Sequence, residues 1–129
     1  MDFHSIRIIL LGSTLGLILR IIIQNNLKIN LGFDIQNISV VNFIGSFFLG
    51  ILVALNFSNN NLLMLFYAGF LGSFSTFSSF IFGLFILFQK KKYIRLFLHY
   101  MEVIVLSFLC FYSGYYLMRI IKWIQKVLL

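Results

Sequence analysis

The stretch 69–80, GFLGSFSTFSSF, decides the fold of this chain, because it places five hydroxyl side chains and two glycines inside an apolar run from Leu62 to Phe88. At bilayer depth every polar group must find an internal partner, so such a cluster is tolerated only where it faces protein, bound ions or a watery path. We interpret it as a broken or strained transmembrane helix that builds an ion site.

The composition predicts an all-α membrane protein. The chain has 129 residues, 61% of them hydrophobic, and a mean hydropathy of +1.03. Apolar runs of about 18 residues or more indicate membrane-spanning helices. Four such runs predict spans at about 4–23, 38–57, 62–88 and 96–121 within a single transmembrane domain, residues 1–129, of a multi-pass cell-membrane protein.

Charge and reactive residues narrow the function. The net charge is +7, and Asp2, Asp34 and Glu102 are the three acidic residues. The basic residues flank apolar helices, which is typical of contact with anionic lipid headgroups and not of a nucleic-acid-binding face. The scarcity of carboxylates in the spans favours an anion path. Cys110 stands alone, and no catalytic or metal-ligand constellation is present, so we expect no enzyme activity.

The first two predicted spans carry small and polar residues at helical spacing. Gly12 and Gly16 form a small-xxx-small pair that lets helix backbones approach closely, which favours a packing face over a ligand site. Arg20 follows on nearly the same face and is either a headgroup anchor or part of an anion vestibule. Asn42 offers two N–H donors and either joins helices or lines a polar path, with spacing alone favouring the former.

The loop charges give little orientation preference. The two sides of the membrane carry four and six basic residues: Arg7, Arg119, Lys122 and Lys126 on one, and Arg20, Lys28, Lys90, Lys91, Lys92 and Arg95 on the other. A chain with so small a bias can insert both ways and pair antiparallel with itself. This inverted two-fold arrangement is a hypothesis.

Three motifs in chain order resemble those of one family. They are the stretch 69–80, the pattern Gly12-x-x-x-Gly16-x-x-x-Arg20, and the pattern Val41-Asn42-x-x-Gly45-Ser46-Phe47-x-x-Gly50. Together they are similar to the signatures of the CrcB/Fluc family of fluoride channels, and the likeness extends over the whole chain in length and number of spans.

The resemblance implies a four-helix protein that forms an antiparallel, dual-topology homodimer with two fluoride pores and exports fluoride passively from the cytoplasm. It also implies a structural sodium ion, not transported, held by backbone carbonyls at a break that maps to Gly72 and Ser75. This chain has Ser73 where the family usually has glycine, and Ser75 where it usually has threonine. Neither change removes a backbone carbonyl. The residues implied for the fluoride path are Asn42, Phe77, Phe80, Ser78, Ser79, Thr76 and Arg20.

The chemistry of these residues suits fluoride. Fluoride is small and strongly hydrated, so a pore must replace its water with hydrogen-bond donors, which the amide and hydroxyls supply. Aromatic ring edges carry partial positive charge and contact an anion without the trap of a buried cation.

Two other functions compete with this interpretation. A small dual-topology multidrug exchanger needs a membrane-embedded carboxylate for proton coupling, and the one candidate, Glu102, lies in the fourth span toward one end. A structural subunit without transport would leave the hydroxyl cluster and Asn42 with helix-joining roles alone. The resemblance assigns no role to Tyr100, Glu102 or Ser107.

Overall fold

The fold consists of four apolar helices, the third of which is interrupted. The computed structural model describes residues 2–26 and 37–129. We call the interrupted helix, Asn60–Gln89, the third span. The elements are α1 (Phe3–Asn26), α2 (Asn37–Leu55), α3 (Asn60–Leu63), a π-helical segment (Met64–Leu71), α4 (Gly72–Phe74), α5 (Phe77–Gln89) and α6 (Tyr93–Leu128).

Three of these helices are long and apolar enough to cross a membrane: Phe3–Asn26, Asn60–Gln89 and Tyr93–Leu128. The shorter apolar helix Ser39–Leu55 accompanies them. The four helices and the interruption of the third agree with the sequence prediction. The fourth is longer than the predicted 96–121, and its 36 residues extend about 54 Å. The sequence also predicts a polar connection over 24–37, with Lys28, Gly32 and Asp34. Its first three residues belong to α1 and Asn37 begins α2, while residues 27–36 lie outside the described ranges.

The turn between α2 and the third span begins earlier than the sequence suggested. The predicted spans 38–57 and 62–88 leave residues 58–61 for this turn, whereas α2 ends at Leu55 and Asn56 adopts a left-handed backbone with φ 52°. Asparagine tolerates this conformation better than most residues and ends helices in it. Asn59 then caps α3, its side chain accepting a hydrogen bond from the Asn61 N–H at 2.9 Å.

The first pair of packed elements is α1 against the π-helical segment. Gly12 and Gly16 are buried, and a Cβ at either would collide with the backbone of the opposing segment, at Leu65 and Phe70 respectively. The packing role predicted for this glycine pair is therefore confirmed.

The second pair is α2 against α6. A Cβ at Gly50 would strike the Phe111 carbonyl, and one at Gly114 would strike the Phe47 carbonyl. The two helices meet at backbone distance because each presents a glycine to the other. Small residues at such crossings are how helices associate in lipid, where no hydrophobic force drives them together.

The outer surface of the described chain is apolar. Large side chains such as Leu11, Leu15, Phe82, Phe108 and Leu109 are each about 60% exposed. Buried apolar side chains are few by comparison: Val41, Leu52, Leu71, Phe74, Phe80 and Val103. An exposed apolar surface of this extent is suited to lipid and not to water.

Candidate functional site

The helix break lies at Ser75 and Thr76. Ser75 has φ −88° and ψ 148°, and Thr76 has φ −137° and ψ 119°, so both are extended. Gly72, where we expected the break to start, is helical with φ −61° and ψ −32°, and its N–H donates to the Gly69 carbonyl. The break therefore occupies the carboxyl end of the expected range, within the hydroxyl cluster and not at its glycine.

Asn42 on α2 pairs with the broken backbone through two hydrogen bonds. Its Nδ2 donates to the Thr76 carbonyl at 3.2 Å, and its Oδ1 accepts from the Thr76 N–H at 3.0 Å. An amide side chain has the same donor and acceptor as a peptide unit, so its Oδ1 replaces the helical acceptor that the Thr76 N–H lacks. Its Nδ2 gives a second bond to the carbonyl that begins α5. The helix-joining role favoured by spacing is confirmed, and one Nδ2 hydrogen remains beyond the bond to Thr76.

The Ser73 hydroxyl connects the first half of the third span to α1 by a hydrogen bond. Its Oγ donates to the Ser13 carbonyl at 2.9 Å and also lies within hydrogen-bond distance of the Gly69 and Phe70 carbonyls, each at 3.1 Å. A Cβ at Gly16 would overlap this hydroxyl. The serine at position 73 is thus accommodated because Gly16 has no side chain opposite it.

Arg20 points into the protein. Its Nη1 donates to the Ser73 carbonyl at 3.1 Å, and its Nε is buried without a hydrogen-bond partner among the described residues. A headgroup anchor would instead direct its guanidinium outward. The side chain therefore holds the backbone just before the break.

A cavity of about 650 Å³ opens beside the break, between α2, the third span and α6. Of the residues predicted for the site, it is lined by Asn42, Gly72, Ser75, Thr76, Phe77 and Phe80. Among the residues of the described ranges that line it, none is charged. The cavity is therefore a neutral space with amide, hydroxyl and aromatic groups in its wall.

Two aromatic rings from α5 dominate one wall. Phe80 is 8% exposed, whereas Phe77 is 74% exposed in the single chain. Their ring centroids lie 6.1 Å apart with the planes tilted by 54°. The Phe80 ring also stacks on the Tyr100 ring, with 6.2 Å between centroids, and its centroid lies 6.1 Å from that of the buried His99 ring. These two residues of α6 hold the Phe80 ring in place.

The fourth helix supplies residues that sequence reasoning did not place. Tyr100, Ile104 and Ser107 line the cavity. Their spacing of i, i+4 and i+7 puts them on one helix face. That spacing was visible in the sequence, but His99, Tyr100 and Glu102 lie on different faces of the helix, so the sequence does not reveal which face meets the cavity. Tyr67 from the π-helical segment and Ser46 from α2 also line it.

Three predicted path residues lie away from this cavity in the single chain. Ser78 is exposed, Ser79 is half-buried, and neither is among the lining residues. Arg20 reaches the Ser73 carbonyl from the opposite element, α1. Their assignment to the fluoride path stays a prediction.

The backbone carbonyls at the break suit a bare cation. Within the described ranges, no backbone N–H outside the regular helices donates to the carbonyl of Gly72 or Ser75. The two N–H groups at the break bond elsewhere: that of Ser75 donates to the Leu71 carbonyl, and that of Thr76 to Asn42 Oδ1. Gly72 is exposed in the single chain. Backbone carbonyl oxygens at such a break are ligands that a hard cation takes.

Comparison with known proteins places the chain in a family. Residues 7–115 match the family model described as CrcB-like protein, Camphor Resistance (CrcB). The chain is 70% identical over 122 residues to a protein of Prochlorococcus marinus (strain MIT 9312) named "Fluoride-specific ion channel FluC 2", covering 95% of this chain and 100% of the relative.

More distant relatives cover the same length. A second protein named "Fluoride-specific ion channel FluC 2", from Prochlorococcus marinus subsp. pastoris (strain CCMP1986 / NIES-2087 / MED4), is 48% identical over 91% of this chain and 95% of its own. "Fluoride-specific ion channel FluC" of Campylobacter fetus subsp. fetus (strain 82-40) is 35% identical over 93% and 98%. The chain therefore belongs to the CrcB-like family, as a multi-pass membrane protein of a family of channels and not of enzymes.

Proposed function

We propose that the protein is a fluoride-selective passive channel that exports fluoride from the cytoplasm across the cell membrane and so relieves fluoride toxicity. The observation that carries this proposal is the neutral cavity beside the helix break, lined by the Asn42 amide, hydroxyls and the rings of Phe77 and Phe80. The two Prochlorococcus relatives, 70% and 48% identical, are named as fluoride-specific ion channels, which supports fluoride as the ion.

The wall of the cavity favours an anion over a cation or a proton. A passing anion needs donors and positive ring edges, and a proton-coupled cation exchanger needs a carboxylate in the path. The described lining has hydrogen-bond donors and aromatic rings, and the carboxylate of Glu102 is not part of that lining. Because the wall holds no fixed positive charge, it does not trap the anion, and conduction requires weak sites that permit exit as well as entry.

Each residue of the proposed fluoride path has a role that follows from its position. Asn42 holds Thr76 with one N–H and offers its remaining N–H to the ion. Phe77 and Phe80 present ring edges along the path, and Thr76, Ser78 and Ser79 supply hydroxyls. Arg20, fixed on the Ser73 carbonyl, contributes positive potential at the vestibule that draws anions toward the entrance.

A second chain completes the path in this proposal. Phe77 is 74% exposed and lies at the rim of the cavity, so an antiparallel partner that covers this surface would close the wall. An antiparallel homodimer places two such cavities in the membrane, one for each chain, and gives two pores. The fluoride ion, the surrounding lipid and the second copy are thus the expected partners.

The carbonyls of Gly72 and Ser75 would hold a structural sodium ion between the two chains. In the part of the chain that the structure describes, no backbone N–H outside the regular helices donates to either carbonyl, and Gly72 is exposed in the single chain; both observations support this assignment. When bound, the ion supplies positive charge that satisfies carbonyls left open by the break. It is not transported.

Passive export needs no energy source in this scheme. Hydrogen fluoride crosses membranes as a neutral acid and dissociates in a less acidic cytoplasm, where the anion is trapped because a charge pays a large desolvation cost in lipid. A selective channel then lets fluoride leave down its electrochemical gradient.

The test is fluoride efflux from liposomes that contain the purified protein, followed with a fluoride electrode, with chloride-loaded liposomes as the selectivity control. Phe77→Ile and Phe80→Ile remove the ring edges and are expected to abolish most of the efflux. Phe82→Ile is the matched control, because Phe82 lies on the same helix, is 63% exposed and does not line the cavity.

The wild type and Phe82→Ile should release fluoride rapidly and chloride barely at all. Unchanged efflux from both Phe77→Ile and Phe80→Ile would remove these rings from the path. A folded wild-type dimer in sodium that releases no fluoride would refute the channel proposal itself.

A further inference from the structure

A second cavity, of about 500 Å³, lies where α2 ends and α6 continues past it. Its wall carries three basic residues of α6, namely Arg119, Lys122 and Lys126. Their spacing of i, i+3 and i+7 puts them on one helix face. Tyr115 and Trp123 complete the α6 side of the wall.

Two of the three cations are held in fixed positions. Lys122 Nζ donates to the carbonyls of Ala54 at 2.7 Å and Leu55 at 3.0 Å, which caps the negative end of α2. An ammonium has three donors, so one remains. The Arg119 guanidinium lies over the Tyr115 ring at 5.7 Å from the centroid, which leaves its N–H edges free to pair with an anion.

No acidic residue of the described ranges lines this cavity. Glu102 lies about 26 Å back along α6 at the helical rise per residue. With Lys122 matched to the carboxyl end of α2, the charges of Arg119 and Lys126 are left without a described counter-charge. The cavity is therefore a positive concavity that can take an anion.

The position of the cavity indicates which anion it meets. α2 has 19 residues and extends about 28 Å, close to the roughly 30 Å thickness of the hydrocarbon core. Because Lys122 is bonded to the last turn of α2, the basic face sits at the edge of the hydrocarbon, where lipid phosphates lie. Ile120, Ile124 and Val127 are 57%, 43% and 63% exposed beside it and suit acyl chains.

We propose that this cavity, bounded by the end of α2 and by Arg119, Lys122, Trp123 and Lys126 of α6, binds the phosphate of an anionic phospholipid headgroup. The occupant is a phosphodiester from the surrounding leaflet, held by the Arg119 and Lys126 side chains and the remaining Lys122 donor. This site is separate from the fluoride path and does not depend on it.

The chain provides its own reporter, because Trp123 is its single tryptophan and stands in the cavity wall. The full-length protein is placed in phosphatidylcholine nanodiscs in which a small fixed fraction is either brominated phosphatidylglycerol or brominated phosphatidylcholine. Bromine quenches tryptophan on contact. We expect brominated phosphatidylglycerol to quench Trp123 more strongly than brominated phosphatidylcholine does. The ratio of the two quenching efficiencies measures the preference of this site for the anionic lipid.

The variant Arg119→Gln/Lys126→Gln should lower that preference by about fivefold for each cation removed, the factor that corresponds to about 1 kcal/mol per basic residue near the surface. Both side chains are exposed, so the fold should persist. Lys90→Gln/Lys91→Gln is the matched control, since it removes the same charge at the opposite end of α6 and should leave the preference unchanged. Arg119→Lys/Lys126→Arg should retain it.

Free phosphate is tested in a separate arm, with inorganic phosphate titrated at constant ionic strength into pure phosphatidylcholine nanodiscs. A change in Trp123 emission there, without any preference for the anionic lipid, would overturn the lipid assignment in favour of a soluble anion. A preference that survives in Arg119→Gln/Lys126→Gln, or equal quenching by both lipids in the wild type, would overturn the proposal as a whole.

Discussion

Asn42 has the two hydrogen-bonding groups of a peptide unit at the end of a short side chain, and the structure uses both on one residue. The bond from the Thr76 N–H compensates for the helical acceptor lost at the break, and the bond to the Thr76 carbonyl fixes the start of α5. Aspartate lacks the donor, and an aliphatic side chain of the same size lacks both groups. The identity of residue 42 thus decides whether the third span can be interrupted at low cost.

Replacement of Asn42 by leucine should destabilise the protein. The change leaves the Thr76 N–H without a partner, and an unsatisfied buried group costs about 1–3 kcal/mol. The Thr76 carbonyl loses its bond to the amide but, as the N-cap of α5, still accepts the first helical N–H. Thermal unfolding of the detergent-solubilised protein checks this. Ser46→Ala is the control, because Ser46 lies one turn further along the same face and lines the same cavity. Equal melting of the two variants would show that the pairing does not stabilise the break.

At the scale of elements, the bundle is assembled from two tightly packed pairs. One joins α1 to the first half of the third span through Gly12 and Gly16, and the other joins α2 to α6 through Gly50 and Gly114. The break separates the half of the third span that packs on α1 from α5, which packs on α6. The cavity lies where these two halves part, so its shape depends on how closely the flanking pairs are held.

Gly50→Ala should force α2 away from α6. The new Cβ would strike the Phe111 carbonyl, which is helix backbone and cannot rotate away, so we expect a loss of about 1–3 kcal/mol from overpacking. Ser113→Ala is the control, since Ser113 lies beside Gly114 on α6, is exposed, and donates its hydroxyl to the Cys110 carbonyl of its own helix at 2.7 Å. Denaturation of both variants in detergent measures the difference, and equal stability would contradict the close packing described for α2 and α6.

At the scale of the whole molecule, the described chain presents apolar side chains outward and nearly balanced positive charge at its two ends. Lys122 lies at the same end of the molecule as the end of α2, because its Nζ bonds there. The turn with Lys90, Lys91 and Lys92 precedes α6 and lies at the opposite end of that helix. The antiparallel dimer that we propose requires chains in both orientations, so this balance is a functional requirement of that model.

Neutralising one end should abolish the dual orientation. Arg7→Gln/Arg119→Gln/Lys126→Gln leaves one basic residue on that side against six on the other, and the positive-inside rule then selects one orientation. Side-specific labelling of a carboxyl-terminal tag in cells measures the fraction in each orientation.

The wild type should be labelled from both sides and the triple variant from one. Fluoride resistance of cells that carry only the triple variant should fall, because chains in one orientation cannot pair antiparallel. Coexpression with a variant of opposite bias should restore resistance. A wild type labelled from one side only would contradict the dual-topology hypothesis.

Much of the fold follows from the sequence, and the remainder depends on contacts between distant segments. The four apolar runs predicted the helices, and the hydroxyl cluster predicted the interruption of the third. The break lies at Ser75–Thr76 and not from Gly72 onward, because Gly72 keeps its helical bond while Asn42, distant in sequence, takes over the Thr76 backbone. The site was harder to predict on α6, because polar residues such as His99, Tyr100 and Glu102 lie on different faces of that helix.

The pairing of Asn42 with Thr76 joins a side chain to a main chain, so the two positions differ in how freely they can be altered. Thr76 contributes only its N–H and carbonyl to these bonds. Every amino acid except proline supplies both groups. A protein engineer therefore has wide freedom at residue 76 as far as this contact is concerned, and could use that position to place a new side chain in the cavity wall, while residue 42 must remain an amide.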